Sequence, residues 1–147
     1  MSDNPTAVLF ACTLNSVRSP IAEGLLKYLH GNRIYVDSVG VRKGEIDPFA
    51  VAAMEEMGID LSRHRAKTFA QLEDSSFDLI ISLSPEAQHQ AVEMTRAMAC
   101  EVEFWNIFDA TVVEGSREAR LDAYRQVRDE LFRRIKDRFP IEGAAGT

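Results

Sequence analysis

Cysteine is almost missing from this chain: Cys12 and Cys100 are all it has, in no CxxC pair and beside no histidine cluster. A disulfide scaffold and a structural zinc site are thereby excluded. Long apolar runs are missing as well, none approaching the roughly 20 residues a membrane helix needs. Positive charge is not in excess either, with 17 Lys and Arg against 23 Asp and Glu and a formal net charge of -6. A nucleic-acid partner would want a basic face, so none is expected. A local basic spot can still hold a small anion inside an acidic protein. Met1 to Thr6 has none of the basic-then-apolar plan of a secretory leader, and the expected location is the cytoplasm.

What is present suits one soluble domain. The 147 residues are 46% hydrophobic and 27% charged, enough to build a core. No internal repeat, low-complexity tract or linker divides them. A single domain over 1–147 is expected, with 1–6 and 141–147 as loose ends.

Ala7-Val-Leu-Phe-Ala11 is a short continuous apolar run, as a strand buried on both faces would be. It stops at Cys12. Ser19-Pro20 then reads as N-cap and first position of a helix carrying Ile21, Leu25, Leu26 and Leu29, stopped at Gly31. Ile34 to Ser38 reads as a second strand. Asp47-Pro48 opens a helix with Val51, Met54 and Met57 on one face, ending at Gly58. Thr68-Phe-Ala-Gln71 is a capping-box pattern. Phe77 to Leu83 is the clearest strand, followed by a helix opening at Ser84-Pro85. Glu101 to Trp105 is a weaker strand. The last helix begins near Ser116 and sets Leu121, Tyr124, Val127, Leu131 and Ile135 along one stripe. Alternating strands and helices predict a three-layer, doubly wound α/β fold: four parallel strands with helices on both faces. Ligands in such folds sit at the carboxyl ends of the strands. The loop after the first strand is therefore where chemistry is expected.

That loop is Cys12-Thr13-Leu14-Asn15-Ser16-Val17-Arg18, followed by Ser19. Curled between a buried strand and a helix N-terminus, it can aim successive backbone N–H groups at one oxyanion. Asn15 tolerates the left-handed backbone that such a curl requires. An arginine six residues after the cysteine can fold back and grip two phosphate oxygens at once. Thiols at a helix N-terminus beside a cation titrate at roughly 3.5–7.5 rather than about 8.5. The Ser19 hydroxyl can donate to the resulting thiolate. A buried structural cysteine is the plain alternative, and the strand before the loop with the Ser-Pro after it weighs against that.

The stretch VLFACTLNSVRSPIAEGLLK, Val8 to Lys27, resembles the signature of the low-molecular-weight protein tyrosine phosphatase family, whose scaffold also carries arsenate reductases. Asp37-Ser-Val-Gly40, Gly58 to His64, Phe77 to Ile81 and the terminal helix fall in register with it. The resemblance implies a flavodoxin-like fold of the phosphotyrosine phosphatase I type. It makes Cys12 the nucleophile and Arg18 the phosphate clamp, with Thr13, Leu14, Asn15, Ser16, Val17 and Ser19 in the phosphate loop. Ser19 would stabilise the thiolate, and Asn15 with Ser38 would brace the loop. It also implies Asp109 as general acid, later the base for water, on the loop before the last helix. An Asx-turn is that residue's plain alternative.

The chain departs from the family in several places. Ala110 stands where a proline usually follows the acid, and Thr111, Val112 and Val113 where aromatics usually line the mouth. Leu14 replaces a glycine, and Val17 a second cysteine that could protect Cys12 from over-oxidation. Phe49 and Trp105 are expected in the core, and His30, His64 and His89 at the surface. Arg63, His64, Arg65 and Lys67 are expected to form a solvated basic run.

The expected activity is hydrolysis of phosphomonoesters, on phosphotyrosine in proteins, without cofactor or metal. The partners are then a phosphorylated protein or a small phosphomonoester, with no nucleic acid and no membrane. One alternative is arsenate reduction through an external thiol, since Ser82 to Ala91 holds no cysteine. The other is a catalytically weak phosphate-binding module.

Overall fold

The computed structural model describes residues 4–73, 76–97 and 99–141. Four strands, β1 (Ala7–Cys12), β2 (Tyr35–Gly40), β3 (Leu79–Ser82) and β4 (Glu101–Phe104), form one parallel sheet in the order β2-β1-β3-β4. Register runs from Val8 opposite both Val36 and Leu79 to Cys12 opposite Gly40. Four helices follow the strands: α1 (Arg18–His30), α2 (Pro48–Glu55), α3 (Pro85–Met94) and α4 (Arg117–Arg138). The chain passes from β2, on one side of β1, to β3 on the other. The crevice at the carboxyl ends of β1 and β3 is thus the topological switch point.

The period of a strand explains why β1 is apolar throughout. Val8, Phe10 and Cys12 face the larger core with Ile21, Leu25, Leu26, Met54, Leu131 and Ile135 of α1, α2 and α4. Leu9 and Ala11 face the opposite layer, against Ala87 and Ala91 of α3. Each of these strand residues is at most 2% exposed. The expected three-layer α/β fold is the observed one. No helix among the described residues is long and apolar enough to cross a membrane.

Local signals hold at most helix ends. Asp47, Ser84 and Ser116 cap α2, α3 and α4, their side chains accepting from Phe49 N, Ala87 N and Ala119 N. The capping box of Thr68 and Gln71 closes a short 3-10 turn. The α4 stripe from Leu121 to Ile135 is buried as expected.

Four readings need correction. Helix α1 begins at Arg18 rather than after Ser19, because the Ser19 hydroxyl is drawn inward to Cys12 and does not cap. Strand β2 runs two residues beyond Ser38, since Val39 is buried and Gly40 pairs with Cys12. Strand β3 is shorter than Phe77 to Leu83, although Leu83 N still donates to Ala11 O at 2.8 Å. The buried face of α2 is Ala50, Ala53 and Met54, with Val51 and Met57 only partly covered. Of the ends expected to be loose, 1–3 and 142–147 lie outside the described residues. Thr6 is tied down, its N–H and hydroxyl both donating to Asp78 at 2.9 and 2.7 Å.

Helices α2 and α4 are clamped by Glu56, which accepts from Arg125 at 2.8–3.1 Å and from Arg128 at 2.8 Å. Hydrogen bonds from Arg125, then Arg128, hold the Glu56 carboxyl at about 2 against an ordinary 4.5. Its side chain is 38% exposed, so solvent screens the pair and its worth is at most about 1 kcal/mol. A depressed carboxylate stabilises the fold fully above its unfolded value and loses that effect as pH falls through the folded one. Glu56→Gln should therefore lower the melting temperature slightly at pH 7. The difference from the parent protein should close between about pH 4.5 and 2. A gap that stays constant across that range would show that the ion pairs carry no stability.

Candidate active site

The cradle after β1 is shaped from outside by the segment that follows β2. Val41 N, Arg42 N, Gly44 N and Asp47 N donate to the carbonyls of Cys12, Thr13, Leu14 and Ser16 at 2.8–3.0 Å. In a trans peptide the next N–H points opposite to its carbonyl. The amides of Thr13, Leu14, Asn15 and Val17 are thereby turned the other way, away from the carbonyls' partners in the 41–47 segment. Gly40 makes this close approach possible. A Cβ there would stand 2.6 Å from Arg42 O and 2.7 Å from Asn15 N.

Asn15 holds the curl from within. It is the one non-glycine residue with positive φ among those described, at 56°, and it is fully buried. Its amide nitrogen donates to Ser19 Oγ at 2.7 Å and Ser38 Oγ at 3.0 Å. Its Oδ1 accepts from Lys67 N and from His64 Nε2, both at 3.0 Å. Ser38 passes its own proton to Glu23 Oε1 at 2.6 Å. Leu14 needs no glycine freedom, because its φ is not positive.

Cys12 lies at the floor, 2% exposed, with Sγ 3.0 Å from Ser19 Oγ. The serine oxygen accepts from Asn15, so its single proton goes to Sγ or to Val39 O at 3.3 Å. Arg18 spends its Nη1 on Leu83 O and Ile107 O at 3.4 and 3.2 Å, and one Nη2 hydrogen on Thr13 Oγ1 at 3.5 Å. The Nε–H and the second Nη2 hydrogen remain as a fork for an oxyanion. Thr13 Oγ1 in turn donates to Ser84, the cap of α3, at 3.1 Å.

These groups border one cleft of about 180 Å³, lined by Cys12, Thr13, Leu14, Ser16, Val17, Arg18, Glu86, Asp109 and Thr111. Asp109 uses Oδ1 for an Asx-turn, accepting from Thr111 N at 3.0 Å and Thr111 Oγ1 at 2.6 Å. The plain reading of that residue and its place at the cleft are thus both met, with Oδ2 left over. The Thr111 bonds fix the loop where a proline is missing. A larger cleft of about 410 Å³ lies behind α1, between Glu23, Tyr28 and Leu61. Neither Cys12 nor Arg18 borders it, so size alone misidentifies the site.

Three surface expectations are overturned. His30 is 4% exposed, with Nε2 2.6 Å from Phe139 O. His64 is turned inward to Asn15, and burial lowers its pKa against the opposing pull of Glu23. Lys67 pairs with Asp37 at 2.6 Å rather than standing in solvent. Trp105 is a core residue as expected, tilted against Phe10, whereas Phe49 is only partly buried. Among the described residues no His, Cys, Asp and Glu cluster is placed to hold a metal ion.

Comparison with known proteins follows the geometry. The family model for low molecular weight phosphotyrosine protein phosphatase matches residues 7–143. An arsenate reductase of Halalkalibacterium halodurans is 35% identical over 135 residues, covering 90% of this chain and 94% of that one. A low molecular weight protein tyrosine phosphatase from T. tengcongensis superposes with TM-score 0.74 at 26% identity, over 89% of this chain and 95% of its own. A YwlE arginine phosphatase mutant with a phosphorylated active site serine gives TM-score 0.73 at 26% identity, over 88% and 91%.

Gly40→Ala should push β2 off the cradle and cost roughly 1–3 kcal/mol, as overpacking does. Urea unfolding should show the loss, and inorganic phosphate should bind more weakly to the folded variant. If stability and phosphate affinity both stay at the parent values, β2 does not abut the loop as described.

Proposed function

The chain belongs to the low molecular weight phosphotyrosine protein phosphatase family, and from that premise we propose that it hydrolyses phosphomonoesters of protein tyrosine through a cysteinyl-phosphate intermediate. The carrying observation is the Cys12 sulfur, 3.0 Å from the Ser19 hydroxyl, at the floor of a cleft bordered by Arg18 and Asp109.

In this reading the Cys12 thiolate, held by the Ser19 proton, attacks phosphorus from below. The amides of Thr13, Leu14, Asn15, Ser16, Val17 and Arg18 and the free edge of the guanidinium take the non-bridging oxygens. These donors gain most where charge spreads over the oxygens in the transition state. The S–P bond forms as the P–O bond to the substrate breaks, and Asp109 gives its proton to the departing oxygen. Water then attacks phosphorus, Asp109 takes its proton, and the S–P bond breaks to release phosphate. The phosphorylated serine in the mutant arginine phosphatase is a covalent phosphoryl group on a scaffold of the same fold.

Arsenate reduction is the second reading, favoured by the name of the 35% identical relative. The thiolate attack would be the same, but the two electrons need a thiol partner. Cys100 directly precedes β4, at the amino end of the sheet, while Cys12 closes β1 at the carboxyl end. A strand of four residues separates those levels, about 13 Å at 3.3 Å per residue. A disulfide spans Cα atoms no more than about 7 Å apart. An external thiol would have to resolve the adduct.

Turnover of p-nitrophenyl phosphate and phosphotyrosine peptides, set beside arsenate reduction with glutathione, separates the readings. Cys12→Ser should abolish hydrolysis and leave phosphate binding intact. Arg18→Lys should cost roughly 2.7–4 kcal/mol in the transition state, because a point charge cannot replace the fork. Normal hydrolysis by the serine variant would overturn the covalent mechanism, and a change confined to KM in the lysine variant would reduce Arg18 to substrate capture.

Asp109→Asn should cripple esters with poor leaving groups far more than activated aryl esters, and should alter the basic limb of the pH–rate profile. Equal, normal rates on both ester types would remove Asp109 from proton transfer and favour a phosphate-binding module.

A further inference from the structure

Next to the segment that holds the cradle from outside lie cations the mechanism does not use. Asp47, whose N–H holds Ser16 O, accepts a hydrogen bond from Tyr124 at 2.8 Å. Two residues on, the Phe49 ring stacks against Tyr124 with centroids 5.2 Å apart. Over the same ring lie the guanidinium groups of Arg117 and Arg120, at 5.4 and 4.7 Å from its centroid.

Three physical facts set this pair apart. Arg42, Arg96, Arg125, Arg128, Arg134 and Arg138 each meet a carboxylate. Among the described residues Arg117 and Arg120 meet none, nor do Arg18, Arg33, Arg63, Arg65 and Arg133, but of these only Arg117 and Arg120 share an aromatic ring, and both are exposed. Asp47 accepts from Tyr124, and Asp109 spends one oxygen, Oδ1, on Thr111. The pair also occupies the opening turns of α4, where the helix dipole disfavours cations. Two like charges share one ring, against local electrostatics, in a chain of net charge -6. Local rules broken without internal compensation mark a functional place.

We propose that Arg117 and Arg120, laid over Phe49, form a second anion subsite that takes an acidic side chain flanking the phosphorylated residue of a protein substrate. The proposal deepens the phosphatase reading and rests on it. An extended peptide advances about 3.3–3.6 Å per residue, so the position of the Glu or Asp along the peptide would set whether it meets the pair. A guanidinium attracted to a ring face still has N–H donors to offer a carboxylate in bidentate contact. The subsite would also replace the aromatic walls that Thr111 and Val112 do not supply. Substrates would be chosen by charge along the peptide rather than by stacking on the phosphorylated ring.

The test uses phosphotyrosine peptides that differ only in flanking Glu, Ala or Lys. Binding is read by fluorescence anisotropy on the Cys12→Ser protein, and kcat/KM on the active enzyme. Two exposed ion pairs should favour the Glu peptide over the Ala peptide by roughly 3- to 10-fold, less at high salt. Arg117→Gln with Arg120→Gln should erase that preference while p-nitrophenyl phosphate turnover stays unchanged. Charge reversal to Glu at both positions should turn it toward the Lys peptide. No preference in the parent protein, or one that survives the double Gln substitution, would overturn the subsite. Absence of all turnover would instead overturn the phosphatase reading, and the binding measurement would still decide the subsite.

Discussion

Asn15 is the fixed point of this molecule. Its backbone takes a left-handed conformation that costs a non-glycine residue free energy, and its carboxamide has no water to bond. Two hydrogens and two lone pairs are the whole capacity of that side chain, and all four are used, on Ser19, Ser38, Lys67 and His64. The partners come from α1, β2 and the 64–67 segment, so three distant stretches converge on one amide. A half-satisfied buried amide would be worse than an apolar residue, which makes the arrangement cooperative. Cradle, thiol partner and second strand stand or fall together.

The same network orients the hydroxyl at the floor of the cleft. Because Asn15 donates to Ser19, the serine proton is free to turn toward the Cys12 sulfur. The amides of the cradle are aimed before any ligand arrives, since their carbonyls are held from outside by the 41–47 segment. Preorganisation of this kind removes the reorganisation that water would need around a developing charge. The net charge of -6 is no obstacle to the proposed dianion, because local donors at close range outweigh a distant net charge that salt screens beyond about 10 Å.

Much of this was legible because it is written in adjacent residues. The apolar run of β1, the six-residue step from Cys12 to Arg18 and the caps at Asp47, Ser84 and Ser116 are local signals, and each sits where it was read. Ser19 shows how a local rule fails. A serine before a proline at the start of a helix is the pattern of a cap, yet its hydroxyl is turned inward to the Cys12 sulfur and Val39 O instead. His64 and Lys67 read as one basic run, and only the tertiary fold turns the first to Asn15 and the second to Asp37. The Phe49, Arg117 and Arg120 group was invisible for the same reason. Its members lie on two helices whose packing no short pattern encodes.

The scaffold divides its labour by position. Carboxyl ends of β1 and β3 fix the oxyanion chemistry, which treats phosphate and arsenate alike, since both offer tetrahedral oxygens to the same amides and guanidinium. What distinguishes the outcomes must come from the rim. In the proposed hydrolysis a proton for the departing alkoxide or phenolate would come from Asp109, which borders the cleft. Electrons for arsenate come from a thiol within disulfide reach, and the second thiol of this chain is at the far edge of the sheet, with burial first among the causes that raise its pKa. The rim thus carries a carboxyl that proton transfer would need and no second thiol that internal electron transfer would need. The cation pair over Phe49, if it is the subsite proposed, fits the same division, because a hydrolase that selects among phosphorylated chains needs contacts beyond the phosphoryl group, whereas an enzyme for a bare inorganic anion does not.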